Sequence, residues 1–407
     1  MHSLNNRILR SIEFLLPGML KKNKKIYLDY AATTPVDPRV LKFMLPYFSR
    51  KFGNTASLHS FGQEAEEALE DSRQIISRAL GAQSKEIIFT SSATESNNLA
   101  IRGTVLANKN KGNHIVVSSI EHDCVLNSAR WLKARGFELT ELRVDKFGLV
   151  DPENIRKAIQ PNTILVSVMH ANNEIGTIEP IVEIGKICRE KNVYFHTDAA
   201  QTFGKIPIDV NKMNIDLLTA SSHKMYGPKG AACLYLREGI KITPLMCGGG
   251  HEGGKRPSTV NVPAIVGFAK ATELCLKEMK QEGDRQSRLR DKLIKTVLKI
   301  IPEVRLNGHP TKRLPNNANF QFSFIEGEAL LIRLDQYGFA VSTGSACSSR
   351  RLEASHVLLA CNVKPEEAHG SLRITLGRFT KESDINRLLN ILPKIVENLR
   401  KISPFKI

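Results

Sequence analysis

The chain has 407 residues, 42% of them hydrophobic and 24% charged, which suits one large domain with a smaller one and excludes a disordered or low-complexity protein. Lys and Arg number 58 against 41 Asp and Glu, a net charge of +17. The excess is dispersed apart from Lys21, Lys22, Lys24 and Lys25, with pairs at Lys255 and Arg256 and at Arg350 and Arg351. No nucleic-acid module accompanies it, so direct nucleic-acid binding is not expected and an acidic protein partner explains the charge as well.

The first 25 residues read as an extension. The stretch RILRSIEFLLPGMLKK, Arg7 to Lys22, is basic and weakly amphipathic, but Glu13 and the presence of only two arginines argue against an organellar presequence. A signal peptide fits poorly, because the basic cluster follows the apolar part, and Met19 is an alternative start. The expected compartment is the cytoplasm, or an organelle should this segment act as a presequence. No run of 18 or more residues is apolar, which excludes a helical membrane span.

From Ile26 onward, short apolar runs alternate with helical periodicity. Strands are expected at Glu86 to Ser92, His114 to Ile120, Thr163 to Met169, Val193 to Asp198, Asp216 to Ser222 and Ala231 to Leu236. A helix over Phe61 to Leu80 places Phe61, Ala65, Leu69, Ile76 and Leu80 on one face, and Glu183 to Lys191 reads similarly. Near-continuous apolar strands between helices point to an α/β fold with a mainly parallel sheet covered on both faces. The texture then changes: a helix over Arg288 to Ile301, strands near Asn319 to Phe324 and Ala340 to Ser342, and a helix over Glu382 to Leu399. This places a boundary near residues 270 to 280, with a large domain over 33–275 and a small α+β domain made of 276–407 with 26–32.

The chemistry gathers where strands end, the place ligands occupy in open α/β sheets. Asp198 closes the run VYFHTDAAQ, with Gln201 three residues on, and Ser221, His223 and Lys224 close the next run in SSHKMYGPKG. A lysine amine can condense with a cofactor aldehyde, and a carboxylate at a strand end can keep a pyridinium nitrogen protonated. Together they are the minimal kit for pyridoxal phosphate. Single Asp and Lys residues are more often a helix cap and a solvated charge, but charged groups ending apolar strands at matched positions are costly unless a ligand pairs with them. Other strand ends add ATESNNLAIRG, whose opening helix could hold a phosphate or simply be a capping box of Ser92 with Glu95. They also add His122, placed either to stack on an aromatic ring or to cap a helix, and the amides Asn172 and Asn173.

Seven cysteines, Cys124, Cys188, Cys233, Cys247, Cys275, Cys347 and Cys361, are odd in number and lack a CxxC pair, which argues against a disulfide framework and for a reducing compartment. Most lie in apolar surroundings and are expected in the core. Cys347 differs: in STGSACSS, Ser342 to Ser349, small residues flank the thiol on both sides, the setting of a nucleophile that reaches a substrate.

With YLDYAATTP, FGN, ATESNNLAI, NNEIG, HTDAAQ, SHKMYGPKG, GGGHE, GSAC and SLRITLGRFT in this order, the chain resembles the cysteine desulfurases of the class V aminotransferase superfamily from about Ile26 to its C-terminus. The STGSAC loop resembles the group I, iron-sulfur cluster assembly type. The resemblance implies a type I pyridoxal-phosphate-dependent transferase fold with a seven-stranded sheet. It implies that Lys224 bonds the cofactor, Asp198 pairs with its ring nitrogen, His122 stacks on the ring, and Gln201 and Asn173 contact its oxygen. Thr94, Ser221 and His223 resemble phosphate ligands, and Thr259 resembles a residue that reaches the phosphate of a neighbouring subunit, which implies a homodimer. Asn173 and Arg373 resemble the groups that hold the carboxylate of L-cysteine. Cys347 would then carry the sulfur as a persulfide to an iron-sulfur scaffold or another acceptor, leaving L-alanine. No resident metal is implied, Cys347 being the residue able to ligate a cluster in passing. KRPST, Lys255 to Thr259, departs from the family pattern before the Thr.

Overall fold

The computed structural model describes residues 25–344 and 354–404. Cys347, Lys21, Lys22, Lys24, Arg350 and Arg351 lie outside the described residues. After β1 (Ile26–Tyr27) and helix α1 (Ser60–Leu80), a central sheet is built from β2 (Ile87–Thr90), β3 (His114–Ser118), β4 (Glu138–Leu142), β5 (Thr163–Ser167), β6 (Tyr194–Asp198), β7 (Leu217–Ser221) and β8 (Ala232–Leu236). Its spatial order is β2-β8-β7-β6-β5-β3-β4. The run from β4 to β7 is parallel, and β8 returns antiparallel between β7 and β2.

The six strands expected from apolar runs all form. β4 was not expected, and the reason is physical: it is an edge strand whose sequence ELTEL buries only Leu142, so it lacks the signature of a strand covered on both faces. α1 buries Ala65, Leu69, Ile76 and Leu80 along one face and stops at Gly81, whose φ of 71° supplies the left-handed cap. Helices α2 (Ala93–Asn98), α3 (Asp123–Lys133) and α4 (Ile181–Glu190) follow β2, β3 and β5 in the chain.

The boundary expected near 270–280 falls inside a single helix, α5 (Val262–Ile300), of 39 residues. Its first half buries Ile265 and Phe268 in the core under the central sheet, and its last turns bury Leu289, Leu293 and Val297 in a second core. The intervening sequence is charged and contains Gly283. A glycine costs about 1 kcal/mol in a helix, which the packing at either end outweighs. The second core contains Ile26 and Leu28 together with β10 (Asn317–Phe322), α6 (Gly327–Gln336), β11 (Phe339–Ala340), β12 (Ser371–Thr375) and α8 (Glu382–Ile402). Here β12-β10-β9, with β9 at Val304–Asn307, form an antiparallel sheet, and β1 pairs in parallel with β11. α7 (His356–Ala360) lies between β11 and β12 in the chain. No helix of the described residues is long and apolar enough to cross a membrane.

Candidate active site

The parallel strands bring their carboxyl ends to one side of the sheet. Asp198 is the last residue of β6, Ser221 the last of β7, and Lys224 follows three residues later in the turn toward β8. Asp198 and Lys224 line a cavity of about 210 Å³ whose wall also includes Ala31, Ala32, Thr94, His122, Cys124, Asn173, Gln201, His223 and Arg373.

Lys224 directs its Nζ to the carbonyls of Ala31 and Ala32, at 2.6 and 2.8 Å. Gln201 Nε2 donates to the Ala31 carbonyl as well, at 3.0 Å. Asp198 is buried and ordered from both oxygens: Asn97 Nδ2 donates to Oδ2 at 2.6 Å and the Ala200 amide to Oδ1 at 2.9 Å. Behind Gln201 stands Lys205, 3.4 Å from its Oε1, whose ammonium is pushed down to about 7 by burial and then by the Lys224 charge. His223 bonds Thr33 Oγ1 at 3.0 Å, and burial with the neighbouring Lys224 cation pushes its imidazole down to about 4, so it is neutral at pH 7.

His122 caps α3, its Nδ1 accepting from the Cys124 amide at 3.2 Å. The capping reading is therefore realised, and His122 also lines the cavity. Cys124 corrects the expectation of a core cysteine: it lines the cavity, with Sγ 3.0 Å from His122 Nδ1 and 3.1 Å from Asn97 Nδ2. Burial, with Asp198 adding, pushes this thiol up to about 12, so it keeps its proton. Cys247 is exposed, whereas Cys188, Cys233, Cys275 and Cys361 are buried as expected.

Arg373, on β12, is the wall contributed by the second core. Its Nη1 donates to the Asn173 carbonyl and its Nη2 to Asp29 Oδ1, both at 3.0 Å. Nε is buried with no partner among the described residues. Thr259 is not brought to this cavity; it lines another with Thr90, Gly230 and Arg256.

Glu121, next to His122, is buried. Its Oε1 accepts from Ser118 Oγ and from the Met169 amide, each at 2.6 Å. Burial pushes this carboxyl from 4.5 up to about 8. Between those values the folded chain holds a proton that the unfolded chain has lost, so the contribution of this group to stability is greatest below about pH 4.5 and falls as pH rises toward 8. Glu121→Gln, which mimics the protonated acid, should melt like the parent at pH 4.5 and be more stable at pH 8 by roughly 2–4 kcal/mol. Thermal melts at the two pH values decide it, and an equal difference at both would contradict the assignment.

Sequence reasoning missed Asn97, Asp29, Thr33 and Cys124. Asn97 and Thr33 lay inside quoted motifs with no local feature separating them from their neighbours, and Asp29 meets Arg373 from 344 residues away.

Residues 26–388 match the aminotransferase class-V family, and the chain belongs to it. It is 53% identical over 383 residues to the cysteine desulfurase IscS of Dictyoglomus turgidum, covering 94% of this chain and 97% of that protein. Identity to the cysteine desulfurase IscS of Methanosarcina thermophila is 52% over 94% of this chain and 95% of that one. A solved NifS-like protein superposes with a TM-score of 0.87 at 36% identity, over 92% of this chain and 100% of that one. Within the class, the chain is a member of the cysteine desulfurases. The central sheet and its helices are accordingly the type I fold of enzymes that depend on pyridoxal phosphate.

The cavity fits that cofactor. The Ser221 hydroxyl is buried without a partner among the described residues, an orphaned donor at the end of β7, two residues before His223, which lines the cavity with Thr94. An amine, a buried carboxylate and a helix-capping imidazole share the remaining wall.

Proposed function

We propose that the protein is a group I cysteine desulfurase that converts L-cysteine to L-alanine and moves the sulfur onto Cys347. When bound, pyridoxal phosphate supplies an aldehyde for an amine and a ring that draws electrons from bonds to the substrate α-carbon. Lys224, Asp198, His122, Gln201 and Asn173 would hold it by aldehyde, ring nitrogen, ring face and ring oxygen, with Thr94, Ser221 and His223 on its phosphate.

Arg373 and Asn173 bind the substrate carboxylate and orient the α-carbon toward Lys224. The Lys224 amine takes up the α-proton at Nζ. His122, with Nδ1 engaged by its cap, has Nε2 left to exchange protons with the carbon fragment. The Cys347 thiolate forms a bond to the substrate sulfur as the carbon-sulfur bond breaks. That bond's electron pair stays with the carbon fragment, which gains a proton and leaves as alanine, while the sulfur remains on Cys347 as a persulfide.

The observation that carries this reading is the link between the cavity wall and the cysteine segment. Arg373 and Ser342 exchange backbone hydrogen bonds at 2.6 and 3.1 Å. Gly344 is the last described residue before Cys347, and the three peptide units between them span at most about 11 Å. Incubating cofactor-loaded protein with L-cysteine should yield alanine and a peptide containing Cys347 heavier by one sulfur. Alanine without that gain would sink the assignment.

Thr259, outside the cavity of its own chain, is read as reaching a neighbouring copy in a homodimer. Exposed apolar side chains at Leu41, Phe43, Phe48, Phe52, Leu58 and Phe61, close together in the chain, favour a second copy as their cover. Sedimentation at monomer mass at micromolar chain would rule this out. The final acceptor is read as an iron-sulfur scaffold or another carrier in the cytoplasm, with the basic surplus favouring an acidic partner.

A further inference from the structure

We infer that Glu174 is a positioning residue that ties both flanks of the Cys347 segment to the loop that carries Asn173. The inference deepens the desulfurase reading and rests on it.

Glu174 is 1% exposed, in the loop after β5. Its backbone is fixed on both sides: its amide donates to Asn172 Oδ1 at 2.8 Å, and its carbonyl accepts from Asn317 and Asn319 side chains, each at 3.1 Å. A carboxylate held this firmly and taken out of water needs donors. Ser355, just after the segment, supplies one from its hydroxyl to Oε2 at 2.6 Å, while the same hydroxyl oxygen caps α7. Before the segment, Gly344 lies against the same carboxylate. A Cβ built on Gly344 would stand 3.0 Å from Oε2, and its φ of 124° already disfavours a side chain.

The contacts on either side run to other parts of the site. Ser371 Oγ donates to the Thr343 carbonyl at 2.8 Å, two residues from Arg373. His356 Nε2 bonds the Glu121 carbonyl at 2.9 Å, one residue from His122. The described residues on the two sides of Cys347 therefore lie beside the carboxylate clamp and the proton-exchanging histidine, and the Glu174 carboxylate stands next to both Gly344 and Ser355. The reach of Cys347 is counted from Gly344, so moving that anchor moves the thiol's range by a comparable distance. An ångström-scale misplacement of a reacting group costs rate without costing binding.

Three variants test this: Glu174→Ala, Glu174→Gln and Cys347→Ala. In cofactor-loaded protein, cysteine affinity is read from the cofactor absorbance and the rate of sulfur gain on the Cys347 peptide from quenched samples. In cofactor-free protein, hydrogen exchange is followed at residues 341–344 and 354–358. Glu174→Ala should bind cysteine within about twofold of the parent, gain sulfur about tenfold more slowly, and exchange those amides about tenfold faster, the scale of one hydrogen bond to a charged group. Glu174→Gln, still able to accept from Ser355, should restore both to within about threefold. The inference fails if Glu174→Ala gains sulfur at the parent rate, if its exchange is unchanged, or if cysteine affinity falls in step with the rate. Alanine formation at the parent rate in Cys347→Ala would instead overturn the desulfurase reading, which keeps the two failures distinct.

Discussion

Lys224→Ala is expected to reduce alanine formation from L-cysteine at least about a thousandfold, because one positioned acid-base group supplies 10²–10⁴ in rate and this amine is proposed also to bond the cofactor. The structure holds this amine at the cavity wall. Its Nζ is gathered onto the Ala31 and Ala32 carbonyls, at the end of a turn secured by β7 on one side and β8 on the other. Borohydride reduction should leave pyridoxal phosphate attached to the parent chain and not to the variant, as read by intact mass. Small primary amines added to the variant should recover part of the rate, since they replace the proton carrier without refolding anything. Activity above a few per cent of the parent, with no added amine, would refute the role.

Arg373→Ala should raise the KM for cysteine roughly a hundredfold with a smaller change in kcat, the loss of about two charge-assisted hydrogen bonds. The guanidinium is buried and held flat between the Asn173 carbonyl and Asp29, so its orientation is settled before substrate arrives. Arg373→Lys should fall between, because an ammonium keeps the charge and loses the fork. Cysteamine, which has no carboxylate, should be insensitive to either change. Steady-state kinetics on both substrates separate this from a folding defect, which would depress kcat for both alike.

The strand-end chemistry was legible because it breaks a pattern. Asp198 and Lys224 interrupt apolar runs at matched places, and a charge ending a buried strand calls for a partner. Arg373 entered through the family resemblance, its local sequence being ordinary, whereas Asn173 stood out only as one of two amides at a strand end. Asp29, Asn97 and Glu174 were not singled out: each is a small polar or acidic residue whose role comes from what lies across the cavity. β4 escaped because an edge strand need not be apolar, and the unbroken α5 escaped because the charged stretch around Gly283 carries no helical stripe where it faces solvent. Cys124 illustrates the opposite case, a thiol whose neighbours read as core but whose side chain faces the cofactor cavity.

The pairing of Ile26 with Phe339 bears on how the molecule comes into being. A chain emerging from the ribosome has its first strand in hand from the outset but must wait through more than three hundred residues for that strand's partner. The central sheet is complete with β8 and its covering helix well before then. Asp29 and Arg373 can meet only near the end of synthesis, so the pairing that orients this guanidinium is among the last features to be assembled. A truncated or stalled product would therefore carry the lysine and its sheet without the arginine.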